Sequence, residues 1–393
     1  MEVDHQNRTF RILSIIVLAQ FCCTSLWFAG NGVMRELAET YHLKMSMVSV
    51  LTSAVQLGFI SGTLLFAVLA LADRFSPSKV FFVCAILAGG MNLGLMLDAN
   101  NLTSLTVLRF FTGFFLAGIY PVGMKISADY FQKGLGVSLG YLVGALVLGT
   151  ALPHILRDQL TDIHWTGVIK TVSALSFTGG TAMVLLVPDG PFRQAAGGIR
   201  LSAFTTVFKK RAFRTAAFGY FGHMWELYAF WTFVPLLIHA FNTNRQGVDL
   251  NVSFWSFMII GVGGLSCVFG GYLSRKWGET RVAFSALFLS GVCCLLVPLV
   301  YMYSGPMVFL FFLLLWGAFV VADSPLFSTL VAHNAIPELK GTALTIVNCL
   351  GFTITIISIQ LIGFLFENTG SVSVFILLAI GPFAGILQQR MSQ

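Results

Sequence analysis

Two carboxylates stand where an apolar helix should not carry them. The chain has sixteen acidic residues. Fourteen fall at termini, in loops or at the ends of apolar runs, and only Glu226 and Asp323 lie well inside such runs. Carrying an ionisable group into a membrane costs ~2.5–3.5 kcal/mol on insertion scales, so such a residue faces a cavity or a partner. His223 lies three residues before Glu226. At helical spacing the two share a face and can hydrogen-bond or share a proton. Trp225, Tyr228 and Trp231 fall on a different face of the same helix. One face lines a cavity and the other packs, and the spacing leaves both assignments open. The bland alternative is an acid paired with a base simply to hold two helices together.

Arg109 is the basic counterpart, in another apolar run. Its guanidinium stays charged and offers a planar fork to carboxylate or phosphate. It either binds an anionic solute or pairs with a neighbouring acid, keeping that acid ionised and leaving the other to titrate. Lys170 is close enough to the end of its run to snorkel. Tyr120-Pro121 and Ser324-Pro325 sit at matching places in two runs. A proline there frees a backbone carbonyl and bends the helix.

The elements that must hold these residues follow from composition. The 393 residues are 56% hydrophobic and 10% charged, with a mean hydropathy of +0.84. A soluble domain carries about 25% charged residues. Twelve runs are long enough to cross ~30 Å of hydrocarbon as helices. They fall at 10–31, 46–71, 79–98, 104–127, 134–156, 165–187, 212–239, 252–274, 281–303, 306–331, 341–365 and 371–388. The alternating segments of a transmembrane barrel are absent. The seven cysteines lie within the apolar runs without metal-ligand spacing, which argues against a metal site or a disulfide framework. The first run lacks the features of a cleaved signal.

Charge gives orientation. With the N-terminus inside, inner segments carry seventeen lysines and arginines: Arg8, Arg11, Arg74, Lys79, Lys125, Lys133, Arg193, Arg200, Lys209, Lys210, Arg211, Arg214, Arg275, Lys276, Arg281, Lys340 and Arg390. Outer segments carry four, Arg35, Lys44, Arg157 and Arg245. Basic residues are retained on the cytoplasmic side, so both termini are expected inside, in an inner membrane. The net charge of +7 thus reports topology, not nucleic acid. Residues 188–211 read as a cytoplasmic linker between six-helix bundles at 1–187 and 212–393.

The halves repeat. Trp27 corresponds to Trp231, Gly113 to Gly317 and Pro121 to Pro325, each at an offset of 204. Parallel repeats of this kind place a substrate site between them near the bilayer midplane. The loop after span 2 reads Leu69-Ala-Leu-Ala-Asp73-Arg74-Phe-Ser76-Pro-Ser-Lys79, and its second copy Gly271-Tyr-Leu-Ser-Arg275-Lys276-Trp-Gly278-Glu-Thr-Arg281. With Arg109-Phe-Phe-Thr-Gly113 in span 4, these stretches resemble the signatures of the major facilitator superfamily. The first loop keeps Asp73, Arg74 and Lys79 but lacks both glycines of the pattern. The second keeps the glycines and has Arg275 in place of the acid. The Gly-rich pattern associated with drug antiporters is only partly present, as Gly140, Gly144 and Gly149 with Ala145 and Leu148.

The resemblance implies the major facilitator fold: an all-α polytopic membrane protein with twelve transmembrane helices in two pseudo-symmetric six-helix bundles. It implies alternating-access transport, with Asp73 and Arg74 as an inner latch and Arg275 its second-copy counterpart. No phosphate-binding loop is present, so the energy source is an ion gradient, and titratable carboxylates favour protons. The expected protein is not an enzyme. It is a monomeric secondary transporter in a lipid bilayer, without cofactor, moving a small organic solute (anionic if Arg109 meets it) together with protons. The candidate residues are Glu226, His223, Arg109, Asp323, Tyr120, Trp27, Tyr228 and Trp231. The alternative is a proton-driven exporter of amphipathic or cationic compounds. A sensor or enzyme on a transporter-like scaffold stands third.

Overall fold

The computed structural model describes residues 2–131, 135–159, 164–193, 206–336 and 339–391, with side chains described outside 2–10 and 135–137. Lys133, Arg200 and linker positions 194–205 lie outside the described residues, as does the side chain of Arg8. All regular structure among the described residues is helical. Eleven helices are long and apolar enough to cross a membrane, and Arg11–Thr24 is a shorter apolar helix. The twelve spans are therefore present.

Spans 1 to 6 are Glu2–Thr24, Met47–Val68, Pro77–Leu93, Leu102–Leu116 with Tyr120–Tyr130, Leu135–Gln159 and Thr166–Leu186. Spans 7 to 12 are Arg211–Thr243, Val252–Trp277, Glu279–Tyr303, Pro306–Ala322 with Ser324–Asn334, Lys340–Thr369, and Val372–Ala379 with Ile380–Arg390. Local chemistry explains several ends. Pro77 and Pro306 open spans 3 and 10, where a missing N–H is harmless. Asn101 and Ser104 cap span 4 reciprocally. Gly370, with φ of 62°, closes span 11 in the left-handed conformation. Leu57, Leu185, Leu265, Phe269 and Phe311 are exposed on helix surfaces. That suits a solvent of lipid chains.

Three spans are interrupted. Span 1 stops at Thr24, turns through 25–28, and continues in the short helices Ala29–Gly32 and Met34–Thr40. Spans 4 and 10 break at 117–119 and at Asp323, and each resumes with a proline in its first turn, Pro121 and Pro325.

The chain divides into two compact units, residues 1–43 with 54–199, and 44–53 with 200–393. In the first, span 1 packs on spans 5 and 6, and span 3 on spans 4 and 6. In the second, span 7 packs on spans 10, 11 and 12, and span 8 on spans 9 and 10. The head of span 2 groups with the second unit. Gln360 Nε2 donates to Ser49 O at 3.0 Å and Ser53 Oγ at 2.8 Å.

The repeat is visible as one close approach made twice. A Cβ on Gly113 would run into the Val55 backbone, and a Cβ on Gly317 into the Ile259 backbone. Both partners of the second pair stand 204 residues after those of the first. Bare glycine lets the paired helices approach backbone to backbone, as small residues do in membranes. Gly113→Ala and Gly317→Ala should each lower stability by roughly 1–3 kcal/mol through overpacking. Gly271→Ala, where nothing lies within 4 Å of the added carbon, should not. Thermal unfolding of the purified variants in detergent checks this, and three equal melting temperatures would contradict it.

Candidate functional site

The site builds from span 7. That helix runs unbroken for 33 residues and is buried along most of its length. His223 and Glu226 sit near its middle and are 1% and 0% exposed. The sequence places them on one face, but they do not pair with each other. His223 Nδ1 lies 2.8 Å from Asp323 Oδ1, near enough for an ion pair though off the line of a well-aligned hydrogen bond. His223 Nε2 and Asp323 Oδ2 find no hydrogen-bond partner. The expected proton-sharing pair His223–Glu226 is thus replaced by His223–Asp323. Asp323 can reach the histidine because it occupies the break in span 10, where it ends one helix and begins the next.

Glu226 is held by two other helices. Trp316 Nε1 of span 10 donates to Oε1 at 2.5 Å, and Ser290 Oγ of span 9 donates to Oε2 at 2.9 Å. Among the described residues, no lysine or arginine lies within ion-pair distance of either buried acid. Among the described residues, the nearby group able to become a cation is His223. Two carboxyl groups and one imidazole without a permanent counter-charge form a cluster whose net charge is set by protons.

Arg109, in the first unit, takes a role the sequence did not suggest. It is 1% exposed. Its Nη1 donates to Leu26 O at 3.0 Å, and its Nη2 donates to Trp27 O. These carbonyls lie in the turn that breaks span 1, where Leu26 O also accepts from Ala29 N–H at 3.4 Å. No acid lies within ion-pair distance of Arg109 among the described residues, so the expected pairing with an acid is not formed. Its Nε has no partner. Gln20, Gln56 and His154 are further buried polar side chains of this unit with unpartnered atoms. Sequence reasoning passed over them because a single uncharged polar residue in an apolar run gives a weak signal.

The aromatic candidates are packed. Trp27 is buried, its ring 4.9 Å from Phe59. Trp231 and Tyr228 are buried with centroids 5.2 Å apart, and Tyr228 lies 5.3 Å from Phe352. Tyr120 is half-buried at the head of the second half of span 4.

At one end of the first unit, Asp73 Oδ1 lies 3.0 Å from Lys125 Nζ of span 4, which is also 3.8 Å from Asp129. Arg193, beyond span 6, closes over them. Its Nη2 donates to the carbonyls of Asp73 and Phe75 at 3.0 and 2.8 Å, and its Nη1 to Asp189 at 2.5 Å. Ser76 Oγ donates to Asp189 at 2.6 Å. Arg74 is exposed and forms no ion pair among the described residues. Arg275 lies over the Tyr272 ring at 5.4 Å. In the second unit, His333, 204 residues after Asp129, is 3.3 Å from Glu279. Sequence reasoning did not single out Arg193 or His333 as partners at these ends, because their charge looked like ordinary loop charge.

Twelve apolar spans, two copies of one helix contact and ionisable groups at mid-span define a multi-pass membrane protein of the transporter class. A family model of the Major Facilitator Superfamily matches residues 16–359, and the chain belongs to that superfamily. It is similar to the Bicyclomycin resistance protein homolog of Haemophilus influenzae, at 20% identity over 311 residues, 76% of this chain and 75% of that one. The crystal structure of the human organic anion transporter MFSD10 (TETRAN) matches at a TM-score of 0.77 and 14% identity, covering 98% of this chain and 99% of that one. The proton:xylose symporter XylE matches at 0.76 and 12%, covering 99% and 97%. At such identities the two structures establish the fold.

Because His223 and Asp323 are each other's close polar partner, their losses should not add. Asp323→Asn, His223→Gln and the double variant should show a coupling of about 0.5–3 kcal/mol in unfolding of the purified protein. Strictly additive losses would mean the 2.8 Å contact carries no energy.

Proposed function

We propose that the chain is a secondary active transporter that moves a small organic solute by alternating access, coupled to protons at Glu226. The observation that carries this is the Glu226–His223–Asp323 cluster, buried at mid-span with no permanent cation beside it. A carboxyl group in that setting has a function or a partner, and Glu226 has only neutral donors. His223 and Asp323 stand as each other's close polar partner, which leaves Glu226 as the group to gain and lose the coupling proton.

Two readings of the solute follow from two observations. An anionic solute would meet Arg109, whose Nε remains without a partner. A cationic or amphipathic compound, exported against a proton gradient, would be favoured by the excess of acid in the second unit. The similarity to a protein named for bicyclomycin resistance supports the second reading. Uptake against efflux in vesicles of known orientation decides the direction.

Glu226→Gln should abolish accumulation driven by a pH gradient in proteoliposomes and retain counterflow, because exchange moves no net proton. The probe is a compound found to raise the melting temperature of the purified protein, since a binder of the folded state stabilises it by mass action. Full pH-driven accumulation by Glu226→Gln would end the case for coupling through this residue.

We further propose that both termini are cytoplasmic, from seventeen inner against four outer basic residues. Asp73, held by Lys125 and Arg193, would then be an inner latch that favours the outward-facing state. Removing a coupling of ~1–3 kcal/mol changes a two-state ratio about 5–150-fold. A cysteine at Arg245 and others near the outer ends of the spans can be labelled from outside intact cells. In Asp73→Asn the span-end sites should label more slowly. Equal rates would retire the latch, and no labelling of position 245 would overturn the orientation.

A further inference from the structure

We infer that Ser290 is a hydroxyl rotor that keeps Glu226 hydrogen-bonded in both of its protonation states, with the exchangeable proton on Oε2. This rests on the reading of Glu226 as the coupling acid, and it names the atom and the helper that make the exchange feasible.

The argument begins with Trp316. An indole N–H donates and never accepts. Trp316 Nε1 meets Oε1 at 2.5 Å, so Oε1 is an acceptor whatever the charge on the carboxyl group. A proton placed on Oε1 would face the indole donor. The acid proton therefore belongs on Oε2.

Oε2 faces Ser290. That hydroxyl is 1% exposed. Its Oγ lies 2.9 Å from Glu226 Oε2 and 3.0 Å from the carbonyl of Leu287, in the preceding turn of span 9. A hydroxyl has one proton and two lone pairs, so it serves one of these acceptors at a time. When Glu226 is ionised, Ser290 donates to Oε2, and the carboxylate has a donor on each oxygen. When Glu226 takes up a proton, Oε2–H donates to Ser290 Oγ, and the serine proton turns to Leu287 O. One proton enters, one hydroxyl rotates, and every donor still has an acceptor. The heavy atoms stay where they are.

This matters because a buried polar group left unmet costs about 1–3 kcal/mol. A site built for one charge state alone would resist the other and stall the cycle. The neighbouring pair is built differently. Asp323 Oδ2 and His223 Nε2 are both without partners, so the pair is completed only by a water or a ligand. The other titratable groups around Glu226 are Asp323 at the break in span 10, Cys293 and Cys294 on span 9, and His223 on its own helix. Span 8 adds the Cys267 thiol beside Asp323. Spans 11 and 12 carry their charged residues, Lys340, Glu367 and Arg390, at their ends, and span 11 adds the Cys349 thiol. The Cys294 thiol, a weak donor and a weak acceptor, also hydrogen-bonds Glu226. Ser290 has two strong oxygen acceptors, Glu226 Oε2 and Leu287 O, in reach of one rotating proton.

The experiment is pH-difference infrared spectroscopy of the protein in liposomes, which reads the carboxyl C=O stretch without a substrate. Glu226→Gln identifies the band. In Ser290→Ala the titration midpoint should rise by about one pH unit. The ionised form loses a charge-assisted hydrogen bond and the neutral form only a weaker one. The stretching frequency should rise too, because the acid O–H has lost its acceptor. Ser290→Thr keeps the hydroxyl and should restore both. A merely structural serine would change the melting temperature and leave midpoint and frequency unmoved, which overturns the rotor. So would a threonine variant shifted as far as alanine, or the absence of any titrating band from Glu226. If the band shifts as expected while Glu226→Gln still accumulates solute normally, the rotor stands and the coupling role falls.

Discussion

A polar group carried into hydrocarbon must be met by another part of the same protein, because no water is available to do it. The helices of this chain obey that requirement along most of their length, and the places where they do not define its anatomy. Where span 1 breaks after Thr24, the Arg109 guanidinium donates to the carbonyls of Leu26 and Trp27 in the turn. A charged fork suits the task, since it presents several fixed donors and keeps them at any working pH. Where span 10 breaks, Asp323 stands at the junction and meets His223. Glu226, on an unbroken helix, is met by an indole and a hydroxyl.

The two units share a scaffold and not a chemistry. The glycine contacts of Gly113 and Gly317 repeat at a fixed offset, so the backbone packing of span 2 on span 4 recurs as span 8 on span 10. At the same offset, Glu226 corresponds to Cys22, His223 to Ala19 and Asp323 to Ile119, while Arg109 corresponds to Leu313. Leu313 offers no donor at the position matching Arg109, and span 7 is continuous beside Trp231. The titratable cluster thus belongs to one repeat and the permanent cation to the other. Solved structures of an organic anion transporter and a proton:xylose symporter share this fold, as expected when function lies in sites carried on a common fold.

The end of the first unit that carries Asp73 shows the same economy in a wetter setting. Lys125 bridges two acids, and Arg193 ties the chain beyond span 6 to the carbonyls that follow span 2. Half-exposed ion pairs contribute little singly. Here five charged side chains and a serine share partners, which ties the chain beyond span 6 to the loop after span 2. Among the described residues, the second unit has His333 with Glu279 in the corresponding region, more exposed and with fewer bonds.

The span count and the repeat were legible in the sequence, because hydrophobic length and a fixed offset are properties of the chain itself. So was the importance of Glu226 and Asp323, since an acid in an apolar run costs free energy whatever it touches. Partners were another matter. The three-residue spacing of His223 and Glu226 says which side chains can meet, and packing of span 10 against span 7 decided that His223 meets Asp323. Ser290 is 64 residues from Glu226 and Trp316 is 90, and nothing local ties a helix's rotation to a residue on another helix. The break at 25–28 carries no proline or glycine, and the acceptors of Arg109 are backbone carbonyls, which have no side-chain identity to read. What a residue costs in the membrane is written in its type. What relieves that cost is set by how the helices turn and pack, which only the tertiary structure decided.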